Sequence, residues 1–420
     1  MRAVLDVALD QLGLAGPATA VFAPVRQADA LTQRSAEYGL AVFDLELAPA
    51  RHEGNVVSHT TIRKMNKSSK PFGRPRLLVV GCGDVGMRAL PALVKRFRVF
   101  AVTSSDARHA ALRAAGAVPV VANLDDAASL HRIGRLAPRV LHLAPPTGVA
   151  GSGTLDRRTR RLRAALAQPP KPTIVPEGGR RALSRLPRAP RRILVYASTS
   201  GVYGDCGGAH VDETRTPRPR SPRGQRRVDA ERTVRTLGRP SRHGHDVHRV
   251  LAAGPARARA TSVSATPAVW RFTERARVPW RTTLVRIPGI YAADRLPVTR
   301  LQKGTPALQA SDDVFTNHIH ADDLAAILVR AMWRGKSQRI VHASDDTEWR
   351  MGEYFDHVAD ALGLPRPPRI SRDEAQRVLE PTLLSFMSES RRLANTRLKR
   401  ELGYRLKYPD VAALLVTLSR

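Results

Sequence analysis

The chain has little of several features that would define other classes of protein. Only two of its 420 residues are cysteine, Cys82 and Cys206, too few for a disulfide framework or a cysteine-rich zinc site. No run of 18 or more apolar residues occurs, so the sequence predicts no membrane-spanning helix. The first residues also lack the charged-then-apolar order of a signal peptide. We therefore expect a cytoplasmic protein.

Lysine is scarce too, although the formal net charge is +32. Nine of the 69 basic residues are lysine and sixty are arginine, a skew that GC-rich coding produces without a selected function. The arginines crowd into proline-rich, weakly patterned sequence between Arg157 and Arg281 and do not follow one helix face. Clustered positive charge attracts phosphate backbones, so a basic nucleic-acid-binding protein is one alternative. We expect no specific nucleic-acid partner.

From Arg76 onward, strand-like and helix-like segments alternate, which indicates a parallel sheet covered by helices on both faces. We therefore expect an α/β protein with a Rossmann-like doubly wound parallel sheet over residues 74–290. A small C-terminal α+β lobe is expected over residues 291–420, with residues 310–335 returning to the Rossmann domain.

Three other stretches lack this regular pattern. Residues 1–73 end in a polar, basic segment and are expected to be an N-terminal extension and linker. Irregular insertions are expected near residues 151–190 and 239–280, where hydrophobic periodicity is weak. The first insertion does contain one basic amphipathic helix.

The segment RLLVVGCGDVGMRALPALVKRF predicts a buried strand, a glycine turn and a helix. Its glycines, Gly81, Gly83 and Gly86, follow the G-x-G-x-x-G pattern of dinucleotide-binding units. Gly81 permits the tight turn, Gly83 lets the backbone approach a pyrophosphate, and Gly86 lets the helix pack closely on the strand. Asp84 and Val85 begin the helix, whose unpaired N–H groups attract phosphate.

The βαβ unit runs from about Arg76 to Asp126 and is expected to bind NAD or NADP. NAD-binding units usually place a carboxylate after the second strand, for the ribose 2′-hydroxyl. This chain has Thr103 there, with Arg108 close behind, and an arginine pairs readily with a 2′-phosphate. NADP is therefore the preferred cofactor. Asp125 is expected beside the adenine, and Pro145 on the pyrophosphate and nicotinamide side.

Four segments together resemble the extended short-chain dehydrogenase/reductases, specifically the NAD-dependent epimerase/dehydratase family: VVGCGDVG, LVYASTSGVYGD, LVRIPGIYAADRLP and TNHIHADDLAAIL. The resemblance covers roughly residues 74–235 and 282–410. It looks most like an atypical branch of nucleoside-diphosphate-sugar epimerase-like proteins. It implies an oxidoreductase that acts on a nucleotide-sugar-like or other hydroxyl or carbonyl small molecule. The resemblance is also compatible with a homodimer.

In that family a Ser or Thr at a strand end binds the reacting oxygen, and a Tyr-x-x-x-Lys pair on the next helix moves the proton. Thr199 supplies the hydroxyl. The helix RGQRRVDAERTVR instead places Arg223 at the tyrosine position and Arg227 at the lysine position. Arg227 could still hold a ribose hydroxyl, but a guanidinium stays protonated and is a poor proton shuttle.

Three explanations of the missing pair stay open at this point. The protein uses another acid, such as Tyr203 or a group on the substrate. It binds the nucleotide without turnover, as a sensor or structural protein. Or the chain is damaged, because residues 239–280 have the texture of out-of-frame sequence where the family has a short link.

The loop RIPGIYAADRLP begins the substrate-binding lobe in the family. By that resemblance Pro288, Gly289 and Tyr291 flank the nicotinamide. Arg295 is a candidate for holding an anionic group of the substrate.

Histidines recur in HGHDVH (243–248) and HIH (318–320), but no nearby cysteine completes a ligand set, so we predict no metal site. A structural interpretation suits HIHADDLAAIL better, with Asp322 or Asp323 capping the helix that follows. The resemblance places His320 and Asp323 at the border of the site.

Overall fold

A parallel sheet of seven strands organises the residues that the structure, a computed structural model, describes. Those residues are 73–147, 153–167, 173–176, 192–239, 270–273 and 280–418. Their strands are β1 (Arg76–Val80), β2 (Arg98–Thr103), β3 (Val118–Val121), β4 (Arg139–His142), β5 (Thr173–Pro176), β6 (Ile193–Thr199), β7 (His210–Val211), β8 (Trp270–Thr273), β9 (Arg281–Ile287), β10 (Gly289–Tyr291), β11 (Ala307–Leu308), β12 (His318–His320), β13 (Arg339–His342), β14 (Arg369–Ile370) and β15 (Arg392–Leu393).

Helices connect these strands and cover the sheet. They are α1 (Asp84–Val94), α2 (His109–Ala114), α3 (Arg157–Leu166), α4 (Pro222–Leu237), α5 (Val298–Gln302), α6 (Ala321–Arg334), α7 (Met351–Ala361), α8 (Arg372–Val378), α9 (Pro381–Phe386), α10 (Thr396–Arg400) and α11 (Val411–Leu418). Short 3₁₀ turns occur at Asp106–Arg108, Ala128–Leu130, Ile133–Arg135, Ser200–Tyr203 and Ala293–Arg295.

The large sheet has the strand order β3-β2-β1-β4-β6-β9-β13, and every neighbouring pair is parallel. The chain moves outward from β1 to β3 and then crosses to β4 on the other side. The order therefore reverses between β1 and β4, where doubly wound sheets bind ligands at the carboxyl ends of the strands. The predicted Rossmann-like fold is confirmed.

The central strands are continuous apolar runs because helices cover both of their faces. Leu77, Leu78, Val79 and Val80 of β1 are all fully buried. β3 lies at the edge of the sheet, and Val121 there is 54% exposed.

Two apolar layers flank the sheet. On one face, Leu90 of α1 and Leu328 of α6 pack in one cluster with Val79. On the other face, Leu162 of α3 and Val234 of α4 pack in a second cluster. α3 is the basic amphipathic helix expected within residues 151–190. Asp156 caps it by accepting from the backbone N–H groups of its first turn.

A smaller apolar cluster forms the core of the C-terminal lobe. Tyr291 and Leu301 contribute to it from the start of the lobe, Phe355 and Val358 from α7, and Leu414 from α11. Short parallel pairs, β10 with β12, β11 with β14 and β7 with β15, tie the lobe together and join it to the loop after β6.

Several expectations fall outside the described residues. They include the extension over 1–73 apart from Gly73, most of the stretches 151–190 and 239–280, and the histidines at 243–248. Among the residues that are described, no helix has both the length and the apolarity to cross a bilayer; α4 has only 16 residues.

Candidate functional site

Gly81 makes the turn between β1 and α1 at the point where the strand order reverses. Its φ of +84° lies in the region that favours glycine. A Cβ at this position would stand 2.5 Å from the backbone nitrogen of Ala144, just after β4. The missing side chain thus lets the turn pass directly against the chain leaving β4.

Gly83 and Gly86 serve different purposes in the same turn. A Cβ on Gly83 would meet no atom within 4 Å, so this position faces open space. A Cβ on Gly86 would lie 3.1 Å from Sγ of Cys82 and 3.4 Å from Leu143, so this glycine seats α1 against the sheet. Burial raises the pKa of the Cys82 thiol to about 11, which fits a packing role.

The first turn of α1 offers its backbone N–H groups to the open space beside Gly83. Gly83 is the N-cap residue, and no side chain caps the helix there. Asp84, Val85 and Gly86 are the first helical residues, and their N–H groups have no acceptor within the helix. Such an end attracts anions. These residues therefore fit the diphosphate of a dinucleotide.

The end of β2 carries hydroxyl groups in place of a carboxylate. The Thr103 hydroxyl donates to the carbonyl of Ser105 at 3.0 Å, while Ser104 and Ser105 are exposed. The charge of Arg108 opposes the rise in the pKa of the Cys82 thiol, and Arg108 is half-buried. A cation at this edge could pair with a 2′-phosphate.

Asp125 already has a partner in the structure. Arg158 of α3 donates to both of its carboxylate oxygens, at 2.9 and 3.0 Å from Nε, and these bonds hold the pKa of Asp125 below its usual value. Arg158 also reaches the carbonyl of Pro145 at 3.4 Å. The residue pattern did not reveal this arginine, which spans the loops after β3 and β4 where the adenine was expected.

Thr199 ends β6, next to β4, at the same edge of the sheet as the glycine turn. It is half-buried, and its Oγ1 accepts from the backbone N–H of Gly201 at 3.3 Å. Because Oγ1 accepts in that bond, its own proton is available to donate to a ligand.

Tyr203 points into the protein interior. Its hydroxyl lies 2.5 Å from Nε2 of His342 and 3.2 Å from the carbonyl of Asp212, and only 1% of the residue is exposed. Burial raises the pKa of its phenol to about 12, although Arg286, 4.6 Å from the ring centre, opposes the rise. This environment does not suit a proton shuttle to substrate.

The loop after β9 places Pro288 and Gly289 at the same edge of the sheet, half-buried and exposed respectively. Tyr291 is turned away, since it is buried in the lobe and its hydroxyl donates to the carbonyl of Asp410 at 3.0 Å.

The helix after β12 begins two or three residues earlier than expected. His320 is its N-cap, and Nδ1 of that ring accepts from the backbone N–H of Asp322 at 3.2 Å. The prediction that Asp322 or Asp323 caps α6 was therefore wrong. Asp323 instead accepts from the Tyr404 hydroxyl at 2.7 Å and from the backbone N–H of Tyr408, fixing the last part of the chain.

An ionic network closes one side of the glycine turn. Arg88 of α1 donates to Asp84 at 2.9 Å, to Asp322 at 3.0 Å and to both oxygens of Asp294 at 2.8 Å. Arg295 donates to the other oxygen of Asp84 at 2.8 Å. Partial burial opposes ionisation of Asp84, but hydrogen bonds from the two arginines outweigh it and lower its pKa.

In the ranges that the structure describes, no group of three or more histidine, cysteine, aspartate or glutamate side chains could hold a metal ion.

Comparison with solved structures shows which known proteins share this fold. No protein-family model and no curated protein matches the sequence. A conserved protein of unknown function from Silicibacter pomeroyi is 26% identical, with a TM-score of 0.56, over 82% of this chain and 98% of that one. dTDP-glucose 4,6-dehydratase from Streptomyces venezuelae, solved with NAD, is 18% identical with a TM-score of 0.55, over 82% and 95%. UDP-glucose 4-epimerase from Thermotoga maritima is 15% identical with a TM-score of 0.55, over 82% and 97%.

The fold is that of the NAD-dependent epimerases and dehydratases. Within this epimerase/dehydratase fold, the first turn of α4 lies against the loop that follows Thr199. A Cβ on Gly224 would stand 2.9 Å from the carbonyl of Gly201. The exposed Arg223 precedes that glycine. An arginine therefore borders the candidate site where the resemblance leads one to expect tyrosine.

Arg227, one turn further along α4, is directed inward. Its Nη1 donates to the carbonyl of Ala197 at 2.8 Å and to the Tyr196 hydroxyl at 3.1 Å, and only 9% of the residue is exposed. These bonds attach α4 to β6 just before Thr199.

A buried ion pair behind Thr199 was not anticipated. Arg286 of β9 donates to both oxygens of Glu231 of α4, at 3.0 and 2.8 Å, and the Ser198 hydroxyl donates to the same carboxylate at 2.7 Å. The side chains of Arg286 and Glu231 are 1% and 5% exposed. The only sequence signal was Arg286, a charged residue inside the apolar strand β9, because Glu231 lies in a helix that carries many other charges.

Proposed function

We propose that the chain is an NADP-preferring oxidoreductase of the epimerase/dehydratase kind, acting on a nucleotide-sugar-like or other hydroxyl or carbonyl substrate. The observation that carries this proposal is the glycine turn at the reversal of strand order, with the Thr199 hydroxyl at the same edge of the sheet. Solved structures with this fold include a dehydratase with NAD bound and a protein in complex with UDP-glucose and NAD.

The residues around the turn fit a dinucleotide. Gly83 leaves space where a side chain would otherwise stand, and the N–H groups of Asp84, Val85 and Gly86 supply donors for a diphosphate. Pro145 is exposed at the end of the neighbouring strand.

NADP is favoured over NAD by the residues after β2. Thr103 and the two exposed serines carry no negative charge to repel a 2′-phosphate, and Arg108 supplies a cation. At the adenine end, Asp125 acts through Arg158: the carboxylate holds the guanidinium, whose planar face can stack on a base.

Thr199 is proposed to bind the reacting oxygen of the substrate. Its Oγ1 is fixed by the N–H of Gly201, which leaves the hydroxyl proton free to donate to a carbonyl or alkoxide. The nicotinamide, when bound, supplies hydride transfer. Pro288 lies at the same edge, at the end of β9, and would border it.

We propose that the proton that accompanies hydride transfer is exchanged with a group on the substrate or with solvent. Tyr203 is enclosed with His342, and Arg227 is engaged with Ala197. Both residues are therefore assigned to the support of β6 and α4. Arg223, at the border of the site, is a charge-stabilising group and does not act as an acid.

The test is turnover with and without Thr199. Wild-type chain and Thr199→Ala are incubated with NADP or NAD and a panel of nucleotide-sugars. Conversion of each sugar is followed by chromatography, because epimerisation or dehydration regenerates the oxidised cofactor, and absorbance of the reduced nicotinamide reports any net oxidation. We expect wild type to turn over with NADP preferred, and Thr199→Ala to lose turnover while keeping cofactor affinity. Equal turnover by both chains would remove the role proposed for Thr199.

A second candidate is a dinucleotide-binding sensor or structural protein without turnover. The inward direction of Arg227 and the enclosure of Tyr203 favour it, because neither side chain is free to move a proton at the site. Binding of NADP with neither conversion of any sugar of the panel nor net reduction of the cofactor would select this function.

A further inference from the structure

The Asp84–Arg295 ion pair joins the cofactor-binding helix to the turn that begins the C-terminal lobe. Nη1 of Arg295 lies 2.8 Å from Oδ2 of Asp84, although 211 residues separate them. Their side chains are 36% and 38% exposed, so solvent and ligands can reach both.

The position of Asp84 creates an electrostatic conflict with a bound dinucleotide. A carboxylate in the first helical turn is favourable in the free protein because it offsets the positive end of the helix. The same N–H groups are the donors proposed for the diphosphate. Like charges this close repel unless a cation lies between them.

Arg88 is poorly placed to resolve this conflict because it already contacts three carboxylates, those of Asp84, Asp294 and Asp322. Arg295 makes fewer contacts with carboxylates. In the described chain it hydrogen-bonds to Asp84 through Nη1, which leaves the donors on Nε and Nη2 for a ligand.

We infer that Arg295 is a further cofactor-binding residue, which Asp84 holds in the free protein and which contacts the diphosphate of the bound dinucleotide. This inference rests on the proposed function. Arg295 then belongs to the cofactor and not to an anionic group of the substrate. Binding at α1 also fixes the turn Ala293–Arg295, and with it the start of the substrate lobe.

A double-mutant cycle tests the inference by calorimetric titration of the full chain. Its members are wild type, Arg295→Ala, Asp84→Asn and the double variant. NADP is one probe, and 2′-AMP, which lacks the diphosphate, is the other. The control is Arg366→Ala, which removes an arginine paired with Asp360 on an exposed surface of the lobe. Thermal midpoints show that each variant is folded.

Arg295→Ala is expected to weaken NADP binding by about tenfold or more, as loss of a charge-assisted hydrogen bond does, and to leave 2′-AMP binding unchanged. Asp84→Asn is expected to bind NADP at least as tightly as wild type. The double variant is expected to bind more tightly than Arg295→Ala, because the uncompensated carboxylate is gone. Arg366→Ala is expected to match wild type.

The inference is overturned if Arg295→Ala binds NADP as tightly as wild type, or if it weakens 2′-AMP equally. A lower thermal midpoint with unchanged NADP affinity would also overturn it, since the pair would then only support the fold. Failure of the proposed function looks different: the wild-type chain itself would bind neither NADP nor NAD.

Discussion

The hydroxyl of Tyr203 lies 2.5 Å from Nε2 of His342, across 139 residues of chain. Nδ1 of the same ring lies 2.8 Å from the carbonyl of Ala394, so Nδ1 carries the proton and Nε2 accepts from the tyrosine. The bond connects the loop after β6 to the edge strand β13. It makes Tyr203 part of the framework that holds Thr199.

Tyr203→Phe is expected to lower the free energy of unfolding by about 1–3 kcal/mol, because it leaves a buried acceptor on His342 without a partner. The ring still packs against Arg286, so dinucleotide affinity should not change. Urea unfolding and cofactor titration measure the two quantities. Loss of turnover with unchanged stability would show instead that Tyr203 is the catalytic acid.

Gly81 and Gly83 provide a matched pair of substitutions. Gly81→Ala places a Cβ 2.5 Å from the Ala144 backbone at a φ of +84°, and is expected to cost at least about 2 kcal/mol of folding free energy. Gly83→Ala meets nothing in the protein, but its Cβ enters the space proposed for the diphosphate.

Gly83→Ala should therefore fold like wild type and bind NADP more weakly, whereas Gly81→Ala should first lose stability. Thermal unfolding together with NADP titration separates the two effects. Unchanged NADP affinity in Gly83→Ala would move the diphosphate away from this turn.

Glu231→Gln breaks the buried pair with Arg286 and leaves that guanidinium partly uncompensated, so a loss of about 3–5 kcal/mol is expected. Asp360→Asn is the control, because it removes a comparable bond to Arg366 at the surface, where ion pairs contribute little. Denaturant unfolding of both variants compares them. Similar unfolding midpoints for the two variants would contradict the prediction that the buried pair stabilises the fold more than the surface pair does.

Stability is expected to be greatest near pH 6.5. Burial lowers the pKa of His142, His318 and His342 to about 3, so the unfolded chain takes up protons first as pH falls below about 6.5. Their contribution is complete above that pH and is lost towards pH 3, at up to about 1.4 kcal/mol per unit for each group.

The loss of stability at alkaline pH depends on Asp345, because burial raises the pKa of its carboxyl to about 8. The unfolded carboxyl ionises near pH 4 while the folded one resists, so stability falls as pH rises towards 8. Thermal midpoints measured from pH 4 to 9 should show the maximum. Asp345→Asn should flatten the alkaline side and steepen the rise below pH 6.5, because the wild-type carboxyl lowers stability over the whole range from about pH 4 to pH 8. An unchanged alkaline slope would mean that another group causes it.

The sequence predicted the parts of the fold that depend on local pattern. The apolar run of β1 and the spacing of Gly81, Gly83 and Gly86 are adjacent in the chain, and they predicted the Rossmann-like sheet. The basic amphipathic helix within residues 151–190 was predicted for the same reason, since its periodicity is visible in a short window.

Contacts between distant residues were missed. Arg158 and Asp125 are 33 residues apart, and Arg286 and Glu231 are 55 apart. In a chain with sixty arginines, spacing alone does not show which arginine meets which carboxylate. The His320 cap was missed because Asp322 and Asp323 are the stronger capping types, although the helix had already begun before them.

Binding of NADP to the full chain tests the central claim most directly. Isothermal titration with NADP and with NAD, on wild type and on Gly83→Val, measures it without requiring turnover. We expect wild type to bind both, NADP more tightly, and Gly83→Val to bind neither while unfolding at the wild-type temperature. Equal NADP binding by the two chains, or no binding by wild type, would contradict a dinucleotide site at this glycine turn.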